Sequence, residues 1–370
     1  MSIAEQTVLL LRSFVNDLPI SSLQDYNLPE ILDYAINHKI ENITLGAVKK
    51  ANLPIDSVLL YQWKYICQKN IFQLMLQEAE KERLIDAFNN AKIPFLPLKG
   101  WYLRDIYPKP EYRFMSDLDI LIHREDREKV SLLLKSLGYS GGIGDHGKED
   151  SYILEPCIHI EIHLDMVSVE QEKWFDYYQS IWDKAVLVSN FEFKLNWNDF
   201  FIYMMINYLK DYTLKGTGVR SIIDFFFFLK KYRSDLDYDY INEEFKKLDV
   251  YDLVQDTLQL VDDWFGDIPK ILGSEMGDRL LKSGIYGTSY ELVQHRYDNL
   301  SANVKGRFAK KMVYLLRRAF PDMKIMKYKY PVLNKMPFLL PVYWCIRLIM
   351  HSDRIRIEME TINKVKNSYK

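Results

Sequence analysis

The sequence predicts an α+β protein in which a compact α/β unit lies between two helical parts. Apolar residues recur at helical spacing up to about residue 91, and short apolar or alternating segments follow between residues 93 and 164. Helical spacing returns after about residue 189. We therefore expect an N-terminal helical subdomain at residues 1–85, a core at 86–190 and a C-terminal helical domain at 191–370.

The N-terminal subdomain is predicted from two helical patterns. The first begins near Thr7, and the second runs over Val58–Ala91, where charged residues separate the apolar ones. A Leu-Pro pair at 53–54 separates the two patterns, and the Asp-Ser pair at 56–57 is typical of a helix cap.

Two strands and a helix are predicted next. Ile93–Leu98 is apolar and ends at a Lys-Gly pair, as is typical of a strand that runs into a turn. Its two prolines cannot donate to a ladder, so we expect an edge or irregular strand. Asp117–His123 starts a second strand, and Glu125–Leu137 is an amphipathic helix that stops at Gly138. The Gly-rich residues 140–150 are expected to form a loop.

A third strand is predicted at Cys157–Leu164, where apolar and polar residues alternate. Isoleucines occupy one face, and His159, Glu161 and His163 occupy the other. This strand therefore has one apolar face and one face rich in titratable groups.

The C-terminal part is predicted to be helical. The longest apolar stretch, Met336–Ile346, contains two prolines and is shorter than the roughly 18 residues of a membrane-spanning helix. We expect a buried or partner-facing helix there, with shallow membrane contact as the less favoured alternative, and no membrane span. The other expected helices are Trp197–Tyr212, Val219–Tyr232, Tyr240–Leu248, Tyr251–Phe265 and the basic, amphipathic Val304–Phe320.

Charge and cysteine content argue against several classes of protein. The 49 basic and 51 acidic residues give a formal net charge of −2, which argues against binding of long nucleic acid by bulk positive charge. The three cysteines are scattered, so neither a disulfide framework nor a cysteine zinc site fits. The N-terminus lacks the features of a signal peptide, and the expected location is the cytoplasm.

Asp117 and Asp119 carry the strongest chemical signal. They lie at i and i+2 at the start of a strand, so both side chains leave the same face, roughly 7 Å apart. Two such carboxylates repel each other unless a cation lies between them, and Mg²⁺ prefers oxygen ligands. Glu161 could add a third carboxylate, and three would hold two metal ions about 3.5–4 Å apart for phosphoryl displacement. An isolated Asp-x-Asp, however, usually marks only a strand end or a cap.

Two other enzyme classes with an Asp-x-Asp motif fit less well. Haloacid-dehalogenase-like phosphatases place the motif after a hydrophobic strand, whereas here Arg113–Ser116 precede it and the apolar run follows. Nucleotide-sugar glycosyltransferases need a Rossmann-like half before the motif, whereas residues 1–91 have a helical pattern.

A family resemblance rests on a combination of short motifs. They are Leu98-Lys99-Gly100, Leu103, Tyr107, Arg113, Asp117-Leu118-Asp119-Ile120-Leu121, Gly138-Tyr139 and Ile160-Glu161-Ile162-His163. Together, over about residues 85–170, they resemble the uncharacterised bacterial nucleotidyltransferase family of the DNA polymerase β superfamily. Residues 218–224, 320–321 and 330–331 are similar to that family's C-terminal part.

The resemblance implies a minimal nucleotidyltransferase core, a small mixed sheet with helices, flanked by the two helical parts. In it, Asp117, Asp119 and Glu161 match the three metal carboxylates. The expected cofactor is Mg²⁺ or Mn²⁺, and the expected substrate is an NTP, with ATP as our first choice.

The resemblance also places Gly100 at the glycine of the superfamily's Gly-Ser phosphate turn. Trp101 stands where serine is usual, so a serine hydroxyl cannot hold the triphosphate. Lys99, Arg104 or Arg113 would have to contribute more of the phosphate binding, and arginine suits this because its fork binds phosphate oxygens bidentately.

Three further residues have both a structural and a functional interpretation. We expect His159 to be structural, whereas His163 falls in the family's Glu-x-His pattern and could contact the phosphates or the acceptor. Arg220 lies four residues before Asp224 on a helix, so the two could form an ion pair, which we slightly favour. Alternatively, Arg220 reaches the nucleotide across a cleft.

Two functions of different classes follow. The first is metal-dependent transfer of a nucleoside monophosphate from an NTP to a hydroxyl or phosphate of a small-molecule, peptide or protein acceptor, with release of pyrophosphate. The alternative is a catalytically degenerate nucleotide-binding or scaffold protein of the same fold. The sequence does not identify the acceptor.

Overall fold

The structure, a computed structural model, describes residues 1–20, 26–144, 149–271, 273–284, 297 and 307–350. Within these ranges the fold is mixed α/β, with helices on both sides of one sheet, which confirms the predicted α+β class. Residues 145–148 of the predicted loop and residues 304–306 of the predicted basic helix lie outside the described residues.

The N-terminal part contains four helices: α1 (Ile3–Val15), α2 (Leu28–His38), α3 (Glu41–Lys50) and α4 (Ser57–Asn90). Asp56 caps α4 as expected, because its carboxylate accepts from the backbone N–H of Val58 at 2.7 Å. The first helical pattern divides into three helices. One reason is that Lys39 adopts a left-handed conformation that ends α2.

Seven strands of the described chain form one mixed sheet in the order β3-β4-β5-β2-β1-β7-β6. Strand β2 runs parallel to β5 and β1 runs parallel to β7, while the other neighbours are antiparallel. The strands are β1 (Phe95–Pro97), β2 (Leu118–Ile122), β3 (Ser140–Gly142), β4 (Asp150–Leu154), β5 (Ile158–His163), β6 (Ala185–Ser189) and β7 (Glu192–Leu195).

The first strand was expected to be an edge or an irregular strand, and the edge alternative was wrong, because β1 is central, between β2 and β7. Its prolines lie before it and at its last residue. The N–H groups of Phe95 and Leu98 donate to Phe191 and Asp119 at 3.0 and 2.9 Å. The prolines therefore interrupt few backbone hydrogen bonds of the sheet.

The expected loop at residues 140–150 was wrong in part. Ser140–Gly142 pairs with β4, and Gly141 has φ +99°, with Ser151 O only 2.3 Å from the place of a Cβ. Only glycine fits there, so the strand has no apolar alternation that sequence analysis could detect. The hairpin of β6 and β7 was also not predicted. Part of its outer strand, Val186–Val188, is exposed and does not alternate.

The later helices follow the predicted pattern, and Tyr251–Phe265 has the predicted bounds. They are α5 (Lys99–Leu103), α6 (Arg127–Ser136), α7 (Glu172–Tyr177), α8 (Ile181–Lys184), α9 (Trp197–Leu214), α10 (Arg220–Tyr232), α11 (Tyr238–Lys247), α12 (Tyr251–Phe265), α13 (Glu275–Ser283), α14 (Arg307–Ala319), α15 (Met323–Lys329), α16 (Val332–Lys335) and α17 (Leu340–Met350). Among the described residues, no helix is both long and apolar enough to cross a membrane.

The two faces of the sheet pack against different helices. One face, with Ile120 and Ile160, packs against the C-terminal half of α4 and against α6. The other, with Leu96 and Leu121, shares a core with α1 and with α9 to α12. This second core includes residues from all three predicted parts of the chain, whose division stays a prediction.

Candidate functional site

The three predicted metal carboxylates lie on two adjacent parallel strands. Asp119 on β2 is the register partner of Glu161 on β5, and Asp117 lies directly before β2. Isoleucines fix the orientation of β5, because Ile158, Ile160 and Ile162 are buried on the opposite face. The structure therefore brings Asp117, Asp119 and Glu161 to one face of the sheet.

Two overlapping groups of metal-binding atoms occur on this face. Asp117, His159 and Glu161 offer ligand atoms within 4.8 Å of one another, and so do Asp119, Glu161 and His163. Glu161 belongs to both groups. These residues could therefore hold a cation on this face.

The electrostatics of this face follow from the crowding of carboxylates. Burial, and then the charges of Asp119 and Asp117, raise the pKa of Glu161 to about 7. Burial and the charge of Asp119 raise the pKa of Asp117. The excess negative charge is only partly balanced by the protein itself.

His163 balances part of that charge. Its Nε2 lies 3.2 Å from Asp119 Oδ1 and 3.8 Å from Glu161 Oε2. Burial opposes ionisation of both partners, but their hydrogen bond outweighs it, so the pKa of Asp119 is lowered and that of His163 is raised. His159, the other histidine of β5, contacts Ser151 Oγ at 2.7 Å.

Two lysines outside β2 and β5 act electrostatically on the carboxylates of this face. Lys99 begins α5, and burial lowers its pKa to about 8, while the charges of Asp211 and Asp119 oppose the shift. Lys210 of α9 lowers the pKa of Asp119, although burial of that carboxyl acts to raise it. The Nζ of Lys210 donates to Asn207 at 2.8 Å.

Sequence analysis missed Lys210, although a signal existed. Asn207, Lys210 and Asp211 are spaced i, i+3 and i+4 at the end of a nearly continuous apolar run, so they share one face of α9. Polar residues at that spacing on a buried helix indicate a polar site beneath it.

Gly100 and Trp101 are both explained by packing. A Cβ at Gly100 would lie 2.8 Å from Met115 Sδ, so a larger residue here would have to displace the Met115 side chain. Trp101 is a buried core residue, and its backbone N–H donates to Leu98 O at 3.0 Å. The position of the usual serine is thus occupied by an apolar side chain that faces the core.

Two of the arginines predicted to bind phosphate are buried with partners inside the protein. Arg104 donates to Gln77 Oε1 at 2.7 Å and to Glu78 Oε1 at 2.8 Å. Arg113 donates from Nε and from its second terminal nitrogen to the two carboxylate oxygens of Asp224, at 2.7 and 3.0 Å. Both guanidinium groups are already used to join structural elements.

Arg220 donates to the carbonyl oxygen of Phe114 at 3.1 Å. The carboxylate of Asp224, which we expected Arg220 to bind, accepts from Arg113 and from the Tyr107 hydroxyl. Burial acts to raise the pKa of Asp224, but the charge of Arg113, with a smaller contribution from Arg220, holds it below its usual value. Arg220, at the start of α10, thus adds a second positive charge near the ion pair of Arg113 and Asp224.

Comparisons with known proteins complete the description. Neither the curated proteins nor the solved structures contain a match to this chain. One family model, described as "Uncharacterised nucleotidyltransferase", matches residues 24–266, which is more than half of the chain and includes β1 to β7. The resemblance that the short motifs indicated is therefore confirmed at the level of the family: the chain belongs to the uncharacterised nucleotidyltransferases.

Proposed function

We propose that this protein transfers a nucleoside monophosphate from an NTP to a hydroxyl or phosphate group of an acceptor and releases pyrophosphate. The observation that carries the proposal is the crowding of Asp117, Asp119 and Glu161 on one face of β2 and β5. Membership of a nucleotidyltransferase family supports the reaction class.

A divalent cation, Mg²⁺ or Mn²⁺, fits the residues of this face. Their ligand atoms are mainly carboxylate oxygens, which Mg²⁺ prefers. The pKa of Glu161 is raised by burial and by the negative charges of Asp119 and Asp117, which a cation would neutralise. We propose that Asp117, Asp119 and Glu161 hold the metal. When bound, it would neutralise the triphosphate and lower the pKa of the acceptor hydroxyl.

Glu161 is the proposed general base. The acceptor oxygen attacks the α-phosphorus of the NTP, the bond to the pyrophosphate oxygen breaks, and the acceptor proton passes to the Glu161 carboxylate. Burial and the charges of Asp119 and Asp117 raise the pKa of Glu161 in the absence of a cation, and a bound cation would lower it again. The role as base therefore rests on the position of this carboxylate among the proposed metal ligands. His163 is proposed to position Asp119, because its Nε2 lies 3.2 Å from Asp119 Oδ1, and to contact the phosphates or the acceptor.

Lys99 and Lys210 are the proposed phosphate-binding cations, because their charges act on the carboxylate face. Gly100 lets the backbone approach the phosphates closely. Arg104 and Arg113 are proposed to stabilise the structure around the site and not to bind phosphate directly, since their guanidinium groups already bind Glu78 and Asp224.

The proposed nucleotide is ATP, and the proposed acceptor is a small molecule, a peptide or a protein side chain. The formal charge of −2 argues against long nucleic acid. A reaction that consumes an NTP suits the cytoplasm, where we place the protein.

The test is incubation of the protein with each α-labelled NTP, Mg²⁺ and cell extract, followed by identification of the labelled product. Glu161→Gln should reduce turnover by roughly 10²-fold or more while NTP binding weakens less. Glu128→Gln on the exposed surface of α6 is the matched control. Binding of Mg²⁺-ATP without pyrophosphate release over a broad acceptor panel would favour the scaffold alternative. Normal turnover of the Glu161 variant would exclude Glu161 as the general base.

A further inference from the structure

Helix α4, the longest helix of the described chain, exposes apolar side chains along one line. All of its exposed large apolar side chains, each at least half exposed, belong to this line: Val58, Tyr61, Tyr65, Phe72 and Met75. The steps between them are three, four, seven and three residues. Gln68 divides the step of seven into three and four. We call these six residues the α4 seam.

The spacing of the α4 seam is that of a coiled coil. When one helix packs along another, the contacting residues alternate in steps of three and four, at positions a and d of a seven-residue repeat. The six seam residues alternate between these positions, with Val58, Tyr65 and Phe72 at a and with Tyr61, Gln68 and Met75 at d. None of them is charged.

The α4 seam lies on the side of the helix that faces away from the rest of the protein. The opposite side is buried through Trp63, Cys67 and Gln77, and Trp63 Nε1 donates to the carbonyl oxygen of Glu41 at 2.9 Å. At about 3.6 residues per turn, the two sets of residues are roughly half a turn apart. Helix α4 can therefore pack against a second helix and keep all its contacts within the fold.

We propose that two copies of this chain pair through the α4 seam as an antiparallel, two-helix coiled coil. A two-fold axis midway along the seam places each a position opposite a d position. The facing pairs are Val58 with Met75, Tyr61 with Phe72, and Tyr65 with Gln68 of the second copy. The seam is complementary to itself, because apolar side chains meet in the outer layers and the Gln68 amide meets the Tyr65 hydroxyl near the axis. The pairing is independent of the proposed transfer reaction.

The charges beside the α4 seam favour the antiparallel direction. Lys64 and Lys69 are the only charged residues within 57–77, and they occupy g and e positions. In a parallel pair, Lys64 would face Lys69 of the second copy, and the two like charges would repel. In the antiparallel pair, Lys64 lies beside Ile71 and Lys69 lies beside Gln62, so no like charges face each other.

The α4 seam is large enough for a specific interface. From its first to its last residue the helix rises about 26 Å, at about 1.5 Å per residue. Aromatic side chains carry about 150–250 Å² each, so five large side chains that are half exposed or more present on the order of 500 Å². A pair would then bury about 1,000 Å², without the flanking residues, which reaches the lower limit for a biological interface.

A lipid surface fits the α4 seam less well. A helix that lies in a membrane interface carries a broad apolar side, whereas the exposed large apolar side chains of α4 keep to the a and d positions. A helix of a different protein would have to carry the same repeat, which a second copy of this chain already has.

The test is sedimentation equilibrium of the full-length protein. We expect a dimer of twice the chain mass of 44.1 kDa, with a dissociation constant in the micromolar range. Tyr61→Asp with Phe72→Asp should raise that constant about 100-fold or more, because aromatic side chains dominate such interfaces. The matched control is Leu132→Asp with Ile268→Asp, at positions that are 70% and 86% exposed. It should dimerise like the wild type, and both variants should keep the wild-type circular dichroism.

The direction of the pair is tested by cysteine cross-linking. Cys157 and Cys345 are first replaced by serine, while the buried Cys67 stays. Val58→Cys and Met75→Cys are then made as two separate proteins. Position 58 lies opposite position 75 in the antiparallel pair, so oxidation of the mixture should give disulfide-linked dimers, whereas either protein alone should give few.

The proposal is overturned if the wild type stays monomeric at about 100 μM, well above the expected dissociation constant. It is also overturned if the control variant loses dimerisation equally, or if the dimer survives the changes at Tyr61 and Phe72. Cross-links from each cysteine variant alone, and not from the mixture, would show a parallel pair and refute the antiparallel one. A monomeric wild type that sediments with lipid vesicles, and a Tyr61 and Phe72 variant that does not, would favour a lipid surface instead.

Discussion

The bidentate ion pair between Arg113 and Asp224 allows a quantitative test of how the site is supported. It joins α10 to the segment that leads into Asp117, and it is buried, since the Arg113 side chain is 3% exposed. Asp224→Asn keeps the shape and one oxygen, but it turns an NH₂ group toward the guanidinium and leaves a buried positive charge unpaired. Breaking such a pair costs about 3–5 kcal/mol, so we expect a loss of that size in the free energy of unfolding.

The assay is urea unfolding followed by circular dichroism. Asp235→Asn, in an exposed turn after α10, is the matched control and should change the free energy by less than about 0.5 kcal/mol. Arg113→Met combined with Asp224→Leu removes both charges and should cost less than Asp224→Asn alone, because no charge is left unpaired.

The reasoning would be refuted if Asp224→Asn unfolds within about 1 kcal/mol of the wild type, or if the double replacement costs more than the single one. Either result would mean that hydrogen bonds and shape, and not the unpaired charge, determine the stability of this contact.

Three further predictions concern the carboxylates, a lysine and a buried histidine. In chelator, the double variant Asp117→Asn with Asp119→Asn should unfold at or above the wild-type temperature, because the repulsion between the carboxylates is removed. In a thermal-shift assay it should lose all stabilisation by Mg²⁺-NTP. Retained stabilisation would contradict the metal site. Lys99 has a pKa of about 8, so NTP affinity measured by calorimetry should fall as pH rises through 8, and Lys99→Arg should abolish that fall. Burial lowers the pKa of His38 to about 4, and its neutral Nδ1 accepts from Val219 N–H, so stability should be complete above the unfolded pKa of about 6.5 and fall by about 3 kcal/mol as pH drops to 4. His38→Asn should lack this slope in urea titrations, and an unchanged slope would exclude His38 as its source.

Local patterns in the sequence were sufficient to predict the class of fold and the main helices. The alternation of isoleucine with His159, Glu161 and His163 is a period of two, which assigns faces to β5 without any knowledge of its neighbours. Asp117 and Asp119 share a face for the same reason. The family resemblance came from the same short motifs, and the family comparison confirmed it.

Contacts distant in sequence could not be deduced in this way. The parallel register of Asp119 with Glu161 depends on where β2 and β5 meet, and the central place of β1 depends on β7, almost a hundred residues later. The charge of Lys210 acts on Asp119 only because α9 packs over that side of the sheet. Arg113 has the chemistry of a phosphate ligand, but its partner is Asp224, 111 residues away. Residue type and periodicity determine what a side chain can do and which face it occupies, whereas packing alone decides which charges meet, because burial and distance set the energy of every ionic contact.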